Sequence, residues 1–402
     1  MPEHGVAVPD TGRSIAVVGA GVAGLATALA CARAGHRVHV FEQARAFAPV
    51  GAGIQLGPNA TRVLHGLGLE SALRAVAAFP LELQVRSGTD ARLLGVLPLG
   101  ERTLARYGAP YATLARADLH QVLLTALQTH ANASLHLDTR VDTVHQDGSA
   151  VQFSAPDGLV RRVELMVGAD GVWSRLRSLV APDTPPTATG HIAYRAMLPQ
   201  SELPAHLRSG VITAWLGPRF HAVTYPVRSG AWLNAVVVVH GHGDMAPDSW
   251  SQAAIADAVI AGMPGLSPVL QEQLLAMGSW QSWTLFDRPP LHQAATMGSG
   301  RVALVGDAAH PMRPYLAQGA GMALEDSCCL ARELARPAAS VTSAVQAYAN
   351  ARWQRNARVQ ARAVRNGLWF HSTGLQAGVR DLGMRLLGTR AIDLPWLYGF
   401  PA

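Results

Sequence analysis

Apolar residues fall along this chain in two rhythms, one with the period of strands and one with that of helices. Residues 14–19 (SIAVVG) and 37–42 (RVHVFE) are short β-branched runs, and residues 22–34 between them are rich in Ala and Leu, long enough for about three helical turns. This order predicts strand, helix, strand, a βαβ unit, with Gly35 where a helix C-terminus favours positive φ. Further helices are predicted over 58–67 and over 118–131, the second with an amphipathic pattern. Short extended pieces are expected over 81–99. Residues 141–144, 151–154 and 162–167 read as strands joined at Asp147-Gly148 and Asp157-Gly158.

A Pro-rich stretch, 181–190, marks a crossing. Beyond it residues 211–216, 221–227 and 232–240 predict a mostly antiparallel sheet, followed by a helix over 249–262. Residues 301–305 (RVALV) return to a buried-strand pattern that leads into GDAAHP, so the chain is expected to leave its first domain and come back to it.

Gly19, Gly21 and Gly24 form GxGxxG between the first strand and helix, and Glu42 ends the second strand. Each position has a physical role. Gly19 makes the tight turn, Gly21 lets backbone approach a pyrophosphate, and Gly24 lets helix and strand close together. The helix N-terminus favours the phosphate charge, and Glu42 can accept hydrogen bonds from an adenosine ribose. Two look-alikes are set aside. Gly241–Ala246 is followed at once by Pro247 and carries Asp244, and Gly298, Gly300 and Ala303 precede a strand instead of following one.

Composition narrows the chemistry. Of 402 residues 49% are hydrophobic and 15% charged, which excludes a disordered chain, and the length allows two or three domains or one large domain with insertions. The net charge is +6, yet all 33 basic residues are Arg, so Walker-type loops, kinase-type Lys and Lys Schiff bases are absent. The 3 cysteines, Cys31, Cys328 and Cys329, give no disulfide framework and no CxxC pair, which points to a reducing, cytoplasmic compartment. No metal-binding or hydrolase motif occurs, and no nucleic-acid-binding pattern accompanies the charge. The apolar stretch 15–32 has the length of a signal or membrane span, but its regularly placed glycines and the strand after it favour the nucleotide loop; no membrane span is expected. Arg352, Arg355, Arg358, Arg362 and Arg365 form a basic stripe, read as a solvated helix face with a membrane-surface helix as the alternative.

Two further segments, VGADGVWSRLR at 167–177 and GRVALVGDAAHPMRPYLAQGAGMALEDS at 300–327, give three motifs in order with the nucleotide loop. Together they resemble the single-component FAD-dependent aromatic hydroxylases, the family of para-hydroxybenzoate and salicylate hydroxylases. GAGIQLGPNA, RADLH and WLYG extend the likeness over roughly residues 13–398. It implies an α/β fold: a Rossmann-like FAD-binding domain (1–80, 100–185 and 287–350), an inserted β-sheet substrate domain (81–99 and 186–286) and a C-terminal helical segment (351–402).

The resemblance also implies FAD as cofactor, NADH or NADPH and O2 as co-substrates, and transfer of oxygen from a flavin hydroperoxide to a small aromatic acid. A monomer or homodimer is expected. Cofactor contacts are implied for Gly19, Ala20, Gly21, Gly24, Glu42, Arg116, Val141, Asp170, Asp307, Gly319, Ala320 and Gly321. Read alone, Asp170 is a turn as often as a site, while a simple helix cap for Asp307 and a surface ion pair for Arg116 are the lesser alternatives. His221 is the implied phenol base and Pro314 its companion in the GDAAH segment, against the alternatives of a buried structural His and a loop-shaping proline. Gln55 and Tyr225 are candidate substrate contacts, and Arg195, Arg219 and Arg313 are unranked carboxylate partners. Gln55 fits a 3-hydroxybenzoate 6-hydroxylase pattern, whereas the segments around RADLH fit 6-hydroxynicotinate 3-monooxygenases, so the substrate stays at the level of a small, carboxylated aromatic or heteroaromatic ring. Flavin chemistry on a non-aromatic substrate, or a non-enzymatic FAD-binding redox module, is the alternative.

Overall fold

In the computed structural model, which describes residues 12–47, 52–181, 184–241 and 252–401, the run SIAVV forms the strand Ser14–Val18 inside a six-stranded sheet. Leu165–Gly168 and Arg37–Phe41 flank it, both parallel. Val302–Leu304 and Ala133–His136 extend the sheet in parallel on either side, and Gly298–Ser299 closes one edge antiparallel. A parallel sheet is covered on both faces, so its central strands are apolar without alternation: Ile15, Ala16, Val17, Leu165, Met166 and Val167 are all fully buried. The helix Val22–Arg33 is buried nearly all round because it packs against the helices Arg116–Gln128 and Gly319–Leu334 as well as the sheet. Thr27 and Ser327 tie two of these helices together through their hydroxyls at 2.9 Å.

The second sheet has eight strands, and only Ile212–Gly217 beside Glu82–Ser87 pairs in parallel. Its central hairpin, Phe220–Val227 with Trp232–His240, shows the period of two that a sheet with two different faces demands. Phe220, Ala222, Ala235, Val237 and Val239 enter one apolar core together with Trp280 and the helix Pro268–Ala276. Their alternates, His221, Val223, Tyr225, Val236 and Val238, line a cavity on the other face.

Four expectations change. The stretch predicted as a helix from 249 is the edge strand Gln252–Ile255 followed by a short helix, Ala256–Ala261; residues 249–251 lie outside the described residues, as do Gly51 and the look-alike loop from His242. The edge of Ser279–Asp287 offers unpaired backbone groups, and Gln252–Ile255 takes them. The strand expected over 162–167 is two, Val160–Val163 and Leu165–Gly168, in different sheets. Glu164 between them is anchored to Ser14, its carboxylate accepting the Ser14 N–H at 2.9 Å. The strand expected over 141–144 is displaced to Val144–Gln146, where it pairs with Val151–Ser154.

The Arg stripe is neither a solvated face nor a membrane-surface helix along its whole length. It lies on the 30-residue helix Val341–Phe370, where Arg352 is 2% and Arg355 9% exposed. Arg352 donates to Glu325 at 2.7 Å and to Asp326 at 2.8 Å, and Arg355 grips Glu325 with two nitrogens. Buried guanidinium groups require such partners. Arg358 stacks on Trp396 at 3.9 Å, and Arg365 is exposed. Cys328 and Cys329 sit in the helix Gly319–Leu334, with free thiols, as expected. No helix among the described residues is long and apolar enough to cross a membrane.

Candidate functional site

Gly19 leaves the first strand at φ +100°, and a Cβ there would lie 2.5 Å from the Ala169 carbonyl oxygen. A Cβ on Gly24 would fall 1.8 Å from the Gly19 oxygen, so only glycine lets the first helical turn close on the strand end. Gly21 is different: nothing lies within 4 Å of its added Cβ, because its backbone opens onto a cleft of about 750 Å³. The Glu42 carboxylate accepts the N–H groups of Ala20 at 2.8 Å and Ala44 at 2.9 Å, and His120 of RADLH donates to the Ala20 carbonyl at 2.8 Å. The loop is thus braced from two elements before any ligand arrives.

Glu42, Arg116, Val141 and Asp170 line the same cleft. Asp170 follows Leu165–Gly168 and spends one oxygen on the N–H groups of Arg175, at 2.8 Å, and Leu176. Its Oδ1 is buried without a partner, and burial pushes its carboxyl pKa up. Gly21, Arg116 and Gly171 also line the second cavity, of about 330 Å³, so the two spaces adjoin. Asp307, Gly319 and Ala320 face this second space. Asp307 is open to the cavity, yet the surrounding protein raises its carboxyl pKa, opposed by the charges of Arg116 and His310. The helix Gly319–Leu334 points its N-terminus into the cavity, behind Gln318, which accepts from Asn59 at 2.9 Å.

The residues expected to touch a cofactor therefore divide. Gly19, Gly21, Glu42, Arg116, Val141, Asp170, Asp307, Gly319 and Ala320 line the two adjoining cavities. Ala20 and Gly24 shape the loop from behind, and Gly321 packs on Gln318 and Asn59. The lining fits FAD on three counts: open backbone at Gly21, the orphan oxygen of Asp170, and a helix N-terminus at the far end suited to negative charge.

The inner cavity also holds the substrate candidates. Tyr225 and Gln55 line it, Gln55 accepting from Tyr111 at 2.9 Å and engaging Tyr225. Burial drives the Tyr225 hydroxyl far above its ordinary range, with the Gln55 hydrogen bond pulling the other way, so it stays protonated as a donor. Gly53, opposite, gives its N–H to Asn234 at 2.7 Å; a Cβ there would strike both Asn234 and Tyr225. Pro314 lines the cavity in the turn Pro314–Leu316, its carbonyl accepting the Ala317 N–H at 3.2 Å. His221 lines it too, is 3% exposed, and its pKa is lowered to about 3 by burial first and His191 second.

The three arginines left unranked by sequence separate here. Arg313 is paired with Asp287, and Arg219 sits at positive φ with its N–H on the His371 carbonyl. Arg195 lines the cavity, stacks on Trp283 at 4.6 Å and keeps a buried Nε without a partner. Trp283 and the histidines behind His221, His371 above all, carry no sequence signal of their own, since each comes from a different element.

Comparison with known proteins agrees with this geometry. The FAD binding domain family matches residues 13–363, and the chain belongs to it. Among characterised relatives, a 3-hydroxybenzoate 6-hydroxylase of Polaromonas naphthalenivorans (strain CJ2) is 34% identical over 96% of both chains. A 3-amino-4-hydroxybenzoate 2-monooxygenase of Streptomyces cremeus is 38% identical, covering 96% of this chain and 94% of that one. A salicylate hydroxylase substrate complex shares the fold, with a TM-score of 0.81 at 24% identity over 97% and 96% of the two chains. The protein is an FAD-dependent monooxygenase that takes its electrons from NAD(P)H.

Proposed function

We propose that the protein hydroxylates a small aromatic or heteroaromatic ring carrying a carboxylate and a phenolic hydroxyl. The observation that carries the reading is the juxtaposition, in one cavity, of the unpartnered Arg195 on Trp283, the buried His221 and the N-terminus of Gly319–Leu334. When bound, FAD reduced by NAD(P)H activates O2 and supplies the oxygen atom. Gly19, Gly21, Glu42, Arg116, Asp170 and Asp307 would hold it, with the Gly319 helix end favouring electron density on its ring system.

The chain's own residues do the rest. Arg195 offers the substrate carboxylate a planar, charged donor, and Trp283 fixes the guanidinium plane. Tyr225 and Gln55 orient the ring from the opposite wall. His221 accepts the phenolic proton, which raises electron density at the ortho and para carbons. Val223, Val236 and Val238 keep the cavity wall apolar and exclude water. In this reading the six-stranded sheet belongs to a Rossmann-like FAD-binding domain, with residues 81–99 and 186–286 forming the inserted substrate domain, in a cytoplasmic enzyme with free cysteines.

The test is NAD(P)H oxidation in air by the FAD-loaded protein against salicylate, hydroxybenzoates, 6-hydroxynicotinate and aminobenzoates, with products read by mass. The expected result is stimulation by a phenolic acid and a product heavier by one oxygen. Silence with every carboxylated phenol would overturn the reading.

A further inference from the structure

Behind the cavity, histidines from separate elements meet. His221 lies in Phe220–Val227, His240 ends Trp232–His240, and His371 caps the C-terminus of Val341–Phe370. His221 Nδ1 is 2.7 Å from His371 Nε2, and His371 Nδ1 is 2.9 Å from His240 Nε2. His221 faces the cavity, His371 is 6% exposed, and His240 is at the surface. The chain of rings therefore runs from the substrate space to solvent without a break.

We infer that His221, His371 and His240 form a proton relay that carries the phenolic proton of the substrate out of the closed cavity, an inference that rests on His221 being the base.

The balance is simple. In the ready tautomer, His221 Nδ1–H donates to His371 Nε2 and His371 Nδ1–H donates to His240 Nε2. The substrate O–H bond breaks, its electron pair stays on oxygen, and the proton adds to His221 Nε2. The Nδ1 proton of His221 passes to His371, the Nδ1 proton of His371 passes to His240, and the Nδ1 proton of His240 leaves to water. One proton enters, one leaves, and each imidazole ends neutral in its other tautomer.

The surroundings favour passing a proton on over keeping it. Arg219 bears on His240, Arg313 on His191 and Arg380 on His371, all disfavouring a cation. Arg313 is paired with Asp287 and Arg380 with Asp381, so no carboxylate is left among the described partners to neutralise an imidazolium. The Tyr315 ring stands edge-on to His221 at 5.1 Å, its hydroxyl pushed up by burial. Burial first, and then the neighbouring histidines, hold the His371 pKa down as well. His191 packs edge-on to His240 at 4.5 Å with its Nδ1 unpartnered, beside the chain of rings and not within it. Nitrogens of His191, His240 and His371 lie within 4.8 Å of one another, close enough for a metal, but the three arginines oppose a dication there.

The test uses the FAD-loaded full chain and the phenolic acid that stimulates NAD(P)H oxidation in the assay above. Oxidised enzyme is mixed with that acid, without NAD(P)H, in weak buffer with an indicator dye, so proton release is read apart from turnover. His371→Asn is expected to keep FAD and to bind the acid within about twofold, while release and turnover at neutral pH slow at least about tenfold. Added imidazole or higher pH should restore part of the rate. His240→Ala, at the exposed end, is expected to fold normally and show a smaller loss with the same rescue, and decides the matter if His371→Asn does not fold. Normal release in both variants, or a loss that neither imidazole nor pH moves, would overturn the relay. So would a stoichiometric metal in the purified protein, which would make His371 a ligand. Slow release in His221→Ala with normal release in both other variants removes the relay and leaves the base; normal release in His221→Ala removes the base itself.

Discussion

Arg195 holds its guanidinium carbon 4.6 Å from the centre of the Trp283 ring, the two side chains rising from adjacent antiparallel strands into one cavity. Burial, and then the nearby Arg116, both work against its charge, so an anion in the cavity relieves the site. A charge-assisted hydrogen bond contributes about 1.5–3 kcal/mol, or roughly 10- to 100-fold in binding. Arg195→Ala is expected to raise KM for a carboxylated substrate by about that factor while FAD content stays unchanged. Arg195→Lys should recover little, because an ammonium neither stacks as a plane on Trp283 nor presents a fork to a carboxylate. Steady-state kinetics with the acid and its uncharged amide analogue checks this; equal loss for both would remove Arg195 from carboxylate recognition.

The glycine at 24 is where the nucleotide loop has least tolerance. Its added Cβ would overlap the Gly19 carbonyl oxygen at 1.8 Å, and that atom is backbone that cannot swing away. Gly24→Ala is expected to cost at least about 1–3 kcal/mol, as overpacked cores do, and to lower FAD content in the purified protein. Gly21→Ala, with open space around it, should leave apoprotein stability nearly unchanged and weaken only FAD retention. Thermal unfolding of both apoproteins, with flavin content by absorbance, separates the two effects.

What was legible in the sequence was local. The βαβ unit with Gly19, Gly21, Gly24 and Glu42 is contiguous, and each residue's role follows from its place in one turn. Arg195 stood in the sequence only as one of three unranked arginines, and Trp283 and His371 come from other elements, where nothing in their own neighbourhoods separates them from ordinary strand or helix residues. His191 and His240 stand opposite each other in the strand register, yet they are far apart along the chain. The Arg stripe misled because a three-to-four spacing marks one helix face and does not say what covers it. Its partners, Glu325 and Asp326, sit on another helix.

Those partners support a prediction about stability. Asp326 receives Arg352 at 2.8 Å and Asn356 at 3.0 Å, with His310 on its other oxygen, and Glu325 receives Arg352, Arg355 and Asn59. Asn59 also donates to Gln318, so this buried network reaches the helix end that faces the cavity. Removing one member of a buried ion pair leaves an uncompensated charge and typically costs about 3–5 kcal/mol. Arg352→Met is expected to lose that much in urea unfolding. Arg352→Met combined with Asp326→Asn should lose less than the sum of the two single variants, because the second change removes the stranded charge.

Acid should act on this fold first through its histidines. His221, His371 and His191 are 3%, 6% and 8% exposed. Burial is the leading cause of their lowered pKa values, to about 3 for His221 and about 4 for His191, with His371 also shifted down. An unfolded histidine takes up a proton near pH 6.5, whereas these folded ones do not, so their stabilising effect is complete above pH 6.5 and declines as pH falls toward the folded values. Each contributes a slope of about 1.4 kcal/mol per pH unit across that window. Asp326 behaves oppositely in position: burial pushes it up, but His310 and Arg352 outweigh this and hold it at about 2. Its contribution is intact above the unfolded carboxylate range near 4 and is lost only as pH falls through 2. Between pH 6 and 4.5 the histidines therefore dominate, and unfolding free energy should fall steeply there. His191→Phe, outside the relay, should flatten the slope by about 1.4 kcal/mol per pH unit while leaving the acid limb below pH 4 in place. Urea unfolding across this range checks it; an unchanged slope in His191→Phe would mean that His191 accepts its proton in the folded state.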